Sequence, residues 1–228
     1  MNLNDRLARE TAADRQYLIS APVIRRCLAG DITRAQYLAF LAQAYHHVRH
    51  TVPLLMATGA RLPERLGWLR DPILHYLEEE TGHEQWILND IQHAGGDREA
   101  AAASLPDVAT DAMVAYAYDT VMRGNPVGFF GMVYVLEGTS VALALQAADR
   151  IQAALDLPSR AFTYLRSHGE LDQEHVHHLA DILSRLEDAS DHDAVIRCAK
   201  GIFWLYGNVF RGLDERADQP AQDMRKSA

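Results

Sequence analysis

The sequence predicts an all-α fold in a single domain. Apolar residues recur at three- and four-residue spacing along almost the whole chain, whereas the alternating Val, Ile and Thr runs typical of strands are missing. A length of 228 residues with 48% hydrophobic residues suits one domain around one large core. We therefore expect a helical bundle over residues 1–216, followed by a polar, flexible tail at 217–228.

Turn-forming residues divide the chain into seven predicted helices. Gly30, Gly95-Gly96, the Gly124–Pro126 stretch and Pro158 mark the main breaks. Pro53 should kink the second helix. The predicted helices cover residues 4–28, 33–58, 63–93, 107–122, 126–156, 160–187 and 192–214.

The charge balance excludes a general nucleic-acid binder. The 31 acidic residues outnumber the 22 lysines and arginines, and the formal net charge of −9 repels nucleic acid and anionic lipid surfaces. Cys27 and Cys198 lie far apart and outside any metal-binding spacing. The first residues also lack an apolar export signal, so we expect a cytoplasmic protein with no nucleic-acid or membrane partner.

Residues 126–148 form a stretch apolar enough to suggest a membrane span. Glu137 lies at its middle, and a lone carboxylate at membrane depth is costly. We therefore predict a buried central helix instead. An ionisable group in such a helix must be paired, protonated or bound to a metal, which makes Glu137 the first candidate ligand.

A second group of candidates lies in the segment SHGELDQEHVHHLADIL. At about 100° per residue, the side chains of His168, Asp172 and His175 fall on the inward, apolar face of the predicted helix. Glu174 and His177 form a Glu-x-x-His pair of the ferritin type, but they fall off this face. We expect that pair to be exposed at the surface, together with His178.

The third group lies in the segment HYLEEETGHEQWILNDI. Glu80 faces inward, and His83 follows it by three residues at the edge of the same face. Glu84 shares this face and is a further candidate, as a ligand, as an acceptor for a histidine N–H or as a partner for an arginine. Glu78 and Glu79 fall off the face, so we expect both to be solvated.

Three carboxylates and three imidazoles are thus predicted to converge from three helices: Glu80, His83, Glu137, His168, Asp172 and His175. Oxygen and nitrogen ligands without thiolate suit iron, or manganese, and such a set can hold two divalent ions. The alternative is a buried network of hydrogen bonds between histidines and carboxylates. Six convergent polar groups would burden a core that held no cation, which favours the metal.

These motifs resemble the haem-oxygenase-like diiron oxidases, a family also described as TenA-like or iron-containing redox enzymes. The resemblance covers roughly residues 30–213 and is carried by EEETGHEQW, VLEGTS and HGELDQEH. It implies a seven-helix bundle of the haem-oxygenase/TenA-like type. It also implies that the same six residues bind two iron ions and that dioxygen is a co-substrate.

Two branches with the same fold are disfavoured. Relatives of the thiaminase type use a catalytic cysteine, and neither Cys27 nor Cys198 lies near the motifs in the sequence. Haem oxygenases bind haem through a histidine of an early helix. His46, His47 and His50 fall off the apolar face of theirs, so we expect them at the surface.

We therefore predict a non-haem diiron oxidase or oxygenase acting on a small organic substrate, fatty-acid-like or amino-acid-like. An external electron donor and a homodimer are candidate partners. The alternative is a non-catalytic metal- or ligand-binding helical protein of the TenA-like type. Six aromatic residues are candidates to line the substrate cavity or to pack in the core: Phe130, Tyr134, Tyr164, Phe203, Tyr206 and Phe210.

Overall fold

The structure, a computed structural model, describes residues 2–217, with side chains as far as Leu213. Over this range the chain forms helices and no strands, which confirms the all-α prediction. The predicted tail, 217–228, lies outside the described residues apart from its first residue, where the last helix ends.

The predicted segments are correct in outline, but several of them divide into shorter helices. Within residues 2–217 the helices are α1 (Leu3–Glu10), α2 (Ala12–Ile19), α3 (Pro22–Ala29), α4 (Arg34–Val48), α5 (Thr51–Arg61), α6 (Arg70–Glu80), α7 (His83–His93), α8 (Arg98–Ala103), α9 (Val108–Met122), α10 (Phe129–Leu155), α11 (Thr163–Ser184) and α12 (Ala189–Ala217). The expected count of seven was therefore too low, and α8 was not predicted at all.

Local backbone chemistry explains the divisions. Pro22 opens α3, where the missing N–H of proline costs nothing. Pro53 does not kink one long helix. Instead, α4 ends at Val48, α5 begins at Thr51, and Pro53 lies in the first turn of α5. The predicted helix 63–93 contains a 3-10 turn at Glu64–Leu69, followed by α6 and α7.

The longest buried apolar helix, α10, lies at the centre of the bundle. It packs mainly against α11 and α12. Gly169 of α11 allows α11 to pack closely against α10, because a Cβ at this position would lie 2.7 Å from Cγ of Leu145 on α10. Gly131 of α10 allows the close contact with α12, because a Cβ at this position would clash with the backbone oxygen of Val195.

By length and composition, the stretch Pro126–Leu155 could cross a membrane. Its most apolar window has a mean hydropathy of 1.6, and 61% of that window is buried within the protein. Core helices of bundles pass the same criterion, and the packing of this stretch against α11 and α12 accounts for its apolar composition.

Candidate metal centre

The first group of predicted ligands forms across a break between two helices. Glu80 is the last residue of α6 and His83 the first of α7. Between them Gly82 has a φ of 95°, a left-handed conformation that glycine adopts without a steric penalty. The prediction of one continuous helix was wrong here. The break nevertheless keeps Glu80 close to His83, with Nδ1 of His83 lying 3.1 Å from Oε2 of Glu80.

His168 of α11 completes this group, which we call the first trio. One ligand atom from each of Glu80, His83 and His168 lies within 4.8 Å of the other two. Nδ1 of His168 donates a hydrogen bond to the backbone carbonyl of Tyr164 at 3.1 Å, which leaves Nε2 without its proton and free to bind a metal. Trp86 stacks on His83, with ring centroids 3.9 Å apart.

The second trio consists of Glu137 on α10 with Asp172 and His175 on α11. All three residues are buried. Nδ1 of His175 lies 3.4 Å from Oδ1 of Asp172 and 3.7 Å from Oε1 of Glu137. Neither this nitrogen nor Oε2 of Glu137 has a hydrogen-bond partner among the described residues. Each atom is therefore available to a ligand that the protein itself does not supply.

Glu79 orients the histidine of the second trio, and it is half-buried where we expected a solvated side chain. Nε2 of His175 donates a hydrogen bond of 2.7 Å to Oε2 of Glu79, whose side chain is 32% exposed. This bond keeps a proton on Nε2, so Nδ1, which faces Asp172 and Glu137, is the nitrogen that would lose its proton and bind a metal. The prediction of one continuous helix placed Glu79 on its solvent-facing side. It could not reveal a partner from α11, which lies far away in the sequence. Glu78 is exposed, as predicted.

The charges and pKa values of the carboxylates and imidazoles in the second trio favour a bound cation. Burial, reinforced by the nearby Asp172 carboxylate, raises the pKa of Glu137 well above its usual value. Burial alone would lower the pKa of His175, but the carboxylates of Asp172, Glu137 and Glu79 raise it to about 9. Because a bound divalent ion would neutralise these carboxylates and use the unpaired donor atoms, the residues present fit a metal.

Other predicted residues lie outside the two trios. Glu84 is half-buried, its carboxylate accepts a hydrogen bond from the side chain of Gln85, and it is not part of the first trio. Glu174 and His177 are exposed, as predicted. His178 was expected at the surface but is half-buried, with its ring 5.6 Å from that of Tyr76.

The expectation of surface histidines in this part of the chain was wrong for His46 and His47 and only partly met by His50. His46 and His47 are only 4% and 3% exposed. Helical phase assumed one buried face, yet α4 packs against α7, α9 and α12 and so is covered on several sides. His50, which follows α4, is half-buried, and its Nδ1 lies 3.1 Å from the Tyr118 hydroxyl.

A cavity of about 160 Å³ adjoins the trios. Glu80, Glu137, His168 and Asp172 lie in its wall, which is otherwise mostly apolar. Of the six aromatic candidates, Tyr164, Tyr206 and Phe210 line the cavity, while Phe130, Tyr134 and Phe203 pack in the core around it.

Cys27 also lines this cavity, although its position in the sequence placed it far from the motifs. Burial raises the pKa of its thiol to about 11, so the thiolate that a nucleophilic cysteine needs is disfavoured. Cys198 is buried and does not belong to the cavity wall.

Comparison with known proteins assigns the family. The model of the iron-containing redox enzyme family matches residues 38–207. This span contains both trios. The chain belongs to this family. No curated protein sequence matches it.

Solved structures that resemble this member of the family share its fold. A domain of unknown function with a haem-oxygenase-like fold from Shewanella denitrificans OS217 is 25% identical, with a TM-score of 0.83 over 95% of this chain and 94% of that one. A TenA homologue from P. horikoshii OT3 is 12% identical, with a TM-score of 0.77 over 95% and 100% of the two chains. A haem oxygenase from Leptospira interrogans is 16% identical, with a TM-score of 0.71 over 93% and 100%. At such low sequence identity, the similarity to the last two structures shows a shared fold and not a shared activity.

Proposed function

We propose that this protein is a non-haem diiron oxidase or oxygenase that uses dioxygen to oxidise a small, predominantly apolar organic molecule. The observation that carries the proposal is the pair of trios at one cavity. Each trio combines carboxylate and imidazole donors, and several of these donor atoms are buried without a protein partner. Membership of an iron-containing family makes iron the preferred metal.

Each trio has the composition of one ion-binding site. Glu80, His83 and His168 would hold one ion, and Glu137, Asp172 and His175 the other. Ferrous ions bound there would supply the electrons that reduce dioxygen and the oxidising power that acts on the substrate.

The chain's own residues orient the ligands and exclude water. The Tyr164 carbonyl holds His168, and the Glu79 carboxylate holds His175. Each hydrogen bond fixes the orientation of its ring, and donation of the ring N–H to the acceptor raises the basicity of the other, ligating nitrogen. The apolar wall contributed by residues such as Phe129, Leu143 and Phe210 keeps bulk water from the reacting atoms.

Dioxygen chemistry tests the proposal directly. Metal-free protein is loaded with ferrous iron under anaerobic conditions and mixed with oxygenated buffer. We expect a transient visible absorption and uptake of dioxygen. Replacement of both Glu174 and His177 by alanine is the control, because this exposed pair lies outside the trios. Unchanged spectra and no dioxygen uptake would favour the alternative, a protein that binds metal or ligand without catalysis.

A further inference from the structure

His47 stands apart from the other buried polar residues of α4. Its side chain lies in the wall of the cavity, and the residue is only 3% exposed. Neither ring nitrogen has a hydrogen-bond partner among the described residues. Its ring meets that of Tyr206 edge-on at a centroid distance of 5.6 Å.

The neighbouring histidine shows what a structural role looks like on the same helix. His46 is equally buried, but its Nε2 pairs with the Ser104 hydroxyl at 2.8 Å, and it does not line the cavity. A buried polar group without a partner destabilises the folded state. Leucine at position 47 would fill nearly the same space without that penalty, so packing does not account for His47.

The chemistry of the imidazole limits what it can bind. Burial lowers the pKa of His47 to about 3, so the ring is neutral at physiological pH. A neutral imidazole has one N–H donor and one acceptor nitrogen. It therefore suits an uncharged group that donates or accepts a hydrogen bond.

The rest of the wall selects against charged ligands. No lysine or arginine is among the described residues that line the cavity. The wall contains the carboxylates of Glu80, Glu137 and Asp172, and much of the remaining wall is aliphatic, as at Val23 and Leu143. The carboxylate of a zwitterionic amino acid would find no cationic side chain among these described residues, whereas a hydrocarbon chain would be buried against the aliphatic wall.

We propose that His47 is a substrate-binding residue. Its imidazole hydrogen-bonds the uncharged polar group of a substrate with a hydrocarbon chain and holds that group in the cavity beside the two trios. The substrate role rests on the proposed function, but binding to the cavity does not require a metal. The proposal is therefore tested on metal-free protein, where failure of the iron chemistry leaves the result unaffected.

The experiment is calorimetric titration of metal-free protein with octanol, octanoate and leucine. We expect octanol to bind wild-type protein more tightly than octanoate or leucine do. We expect His47→Leu to weaken octanol binding by up to about tenfold, the value of one hydrogen bond. His47→Gln, which keeps a donor and an acceptor, should retain most of the affinity, and His46→Leu should bind octanol like the wild type.

Thermal unfolding of the same variants separates binding from a structural role. Because His47→Leu removes an unpaired buried group, this variant should melt at or above the wild-type temperature. His46→Leu should melt below it, since the change removes the hydrogen bond to Ser104. Octanol binding that is unchanged in His47→Leu, or absent from the wild type, would overturn the proposal. So would tighter binding of leucine, or a clear loss of stability in His47→Leu.

Discussion

The two trios differ in how the backbone holds them. The first trio spans the break between α6 and α7, so its geometry depends on the left-handed conformation of Gly82. The second trio is carried by α10 and α11, which continue without interruption through Glu137, Asp172 and His175. The second trio is instead fixed from outside by Glu79. One trio therefore depends on a backbone turn, and the other on a hydrogen bond from a supporting side chain.

The largest effect is expected from His168→Ala, which removes an imidazole from the first trio. Because loss of a ligand should exceed the loss of a supporting hydrogen bond, dioxygen uptake should fall by at least about a hundredfold. His177→Ala is the matched control, since it changes an exposed histidine of the same helix. Activity that stays near the wild-type level in His168→Ala would remove the first trio from the proposed site.

The next effect is that of Glu79→Gln, which weakens the hold on His175 of the second trio. Loss of a carboxylate that supports a ligating histidine typically lowers metal affinity by about 10–100-fold. Titration of metal-free protein with ferrous iron should show this loss for one ion and not for the other. Glu78→Gln, at an exposed neighbouring position, should bind iron like the wild type. Equal affinities in the two variants would mean that Glu79 does not support a ligand.

A smaller effect is expected from Gly82→Ala, which acts on the backbone of the first trio. A side chain at this φ of 95° should cost about 1–2 kcal/mol of unfolding free energy. Urea unfolding of metal-free protein measures it. Gly212→Ala is the control, because that glycine lies in a helix and no described residue comes within 4 Å of a Cβ built there, and the change should stabilise the protein by about 0.5–1 kcal/mol. A Gly82→Ala variant as stable as the wild type would show that the break does not depend on glycine.

Much of the second trio was predictable from the sequence, because regular helical phase applies where helices are regular. Asp172 and His175 on α11, and Glu137 on α10, are buried as the periodicity of their segments predicts. Glu80 and His83 were also selected, but on the assumption of a continuous helix that ends at Glu80 in the structure. Their short separation in sequence kept them together regardless of the break.

The remaining features depend on tertiary contacts that a single helical face does not reveal. The partner of Glu79 comes from α11, 96 residues further along the chain. His47 was assigned to the surface because its helix was assumed to have one buried side, whereas α4 packs against several helices. Packing of α3 against α10 and α12 likewise brings Cys27 to the cavity wall, although it lies far from the motifs in the sequence.

The central claim is that the two trios each bind an iron ion, and counting the ions tests it most directly. Metal-free wild-type protein and Asp172→Ala are loaded with ferrous iron under anaerobic conditions, separated from free metal, and analysed for iron per chain. We expect about two ions in the wild type and about one in the variant, because only the second trio loses a ligand. The same count in both proteins, or no iron retained by the wild type, would contradict the account.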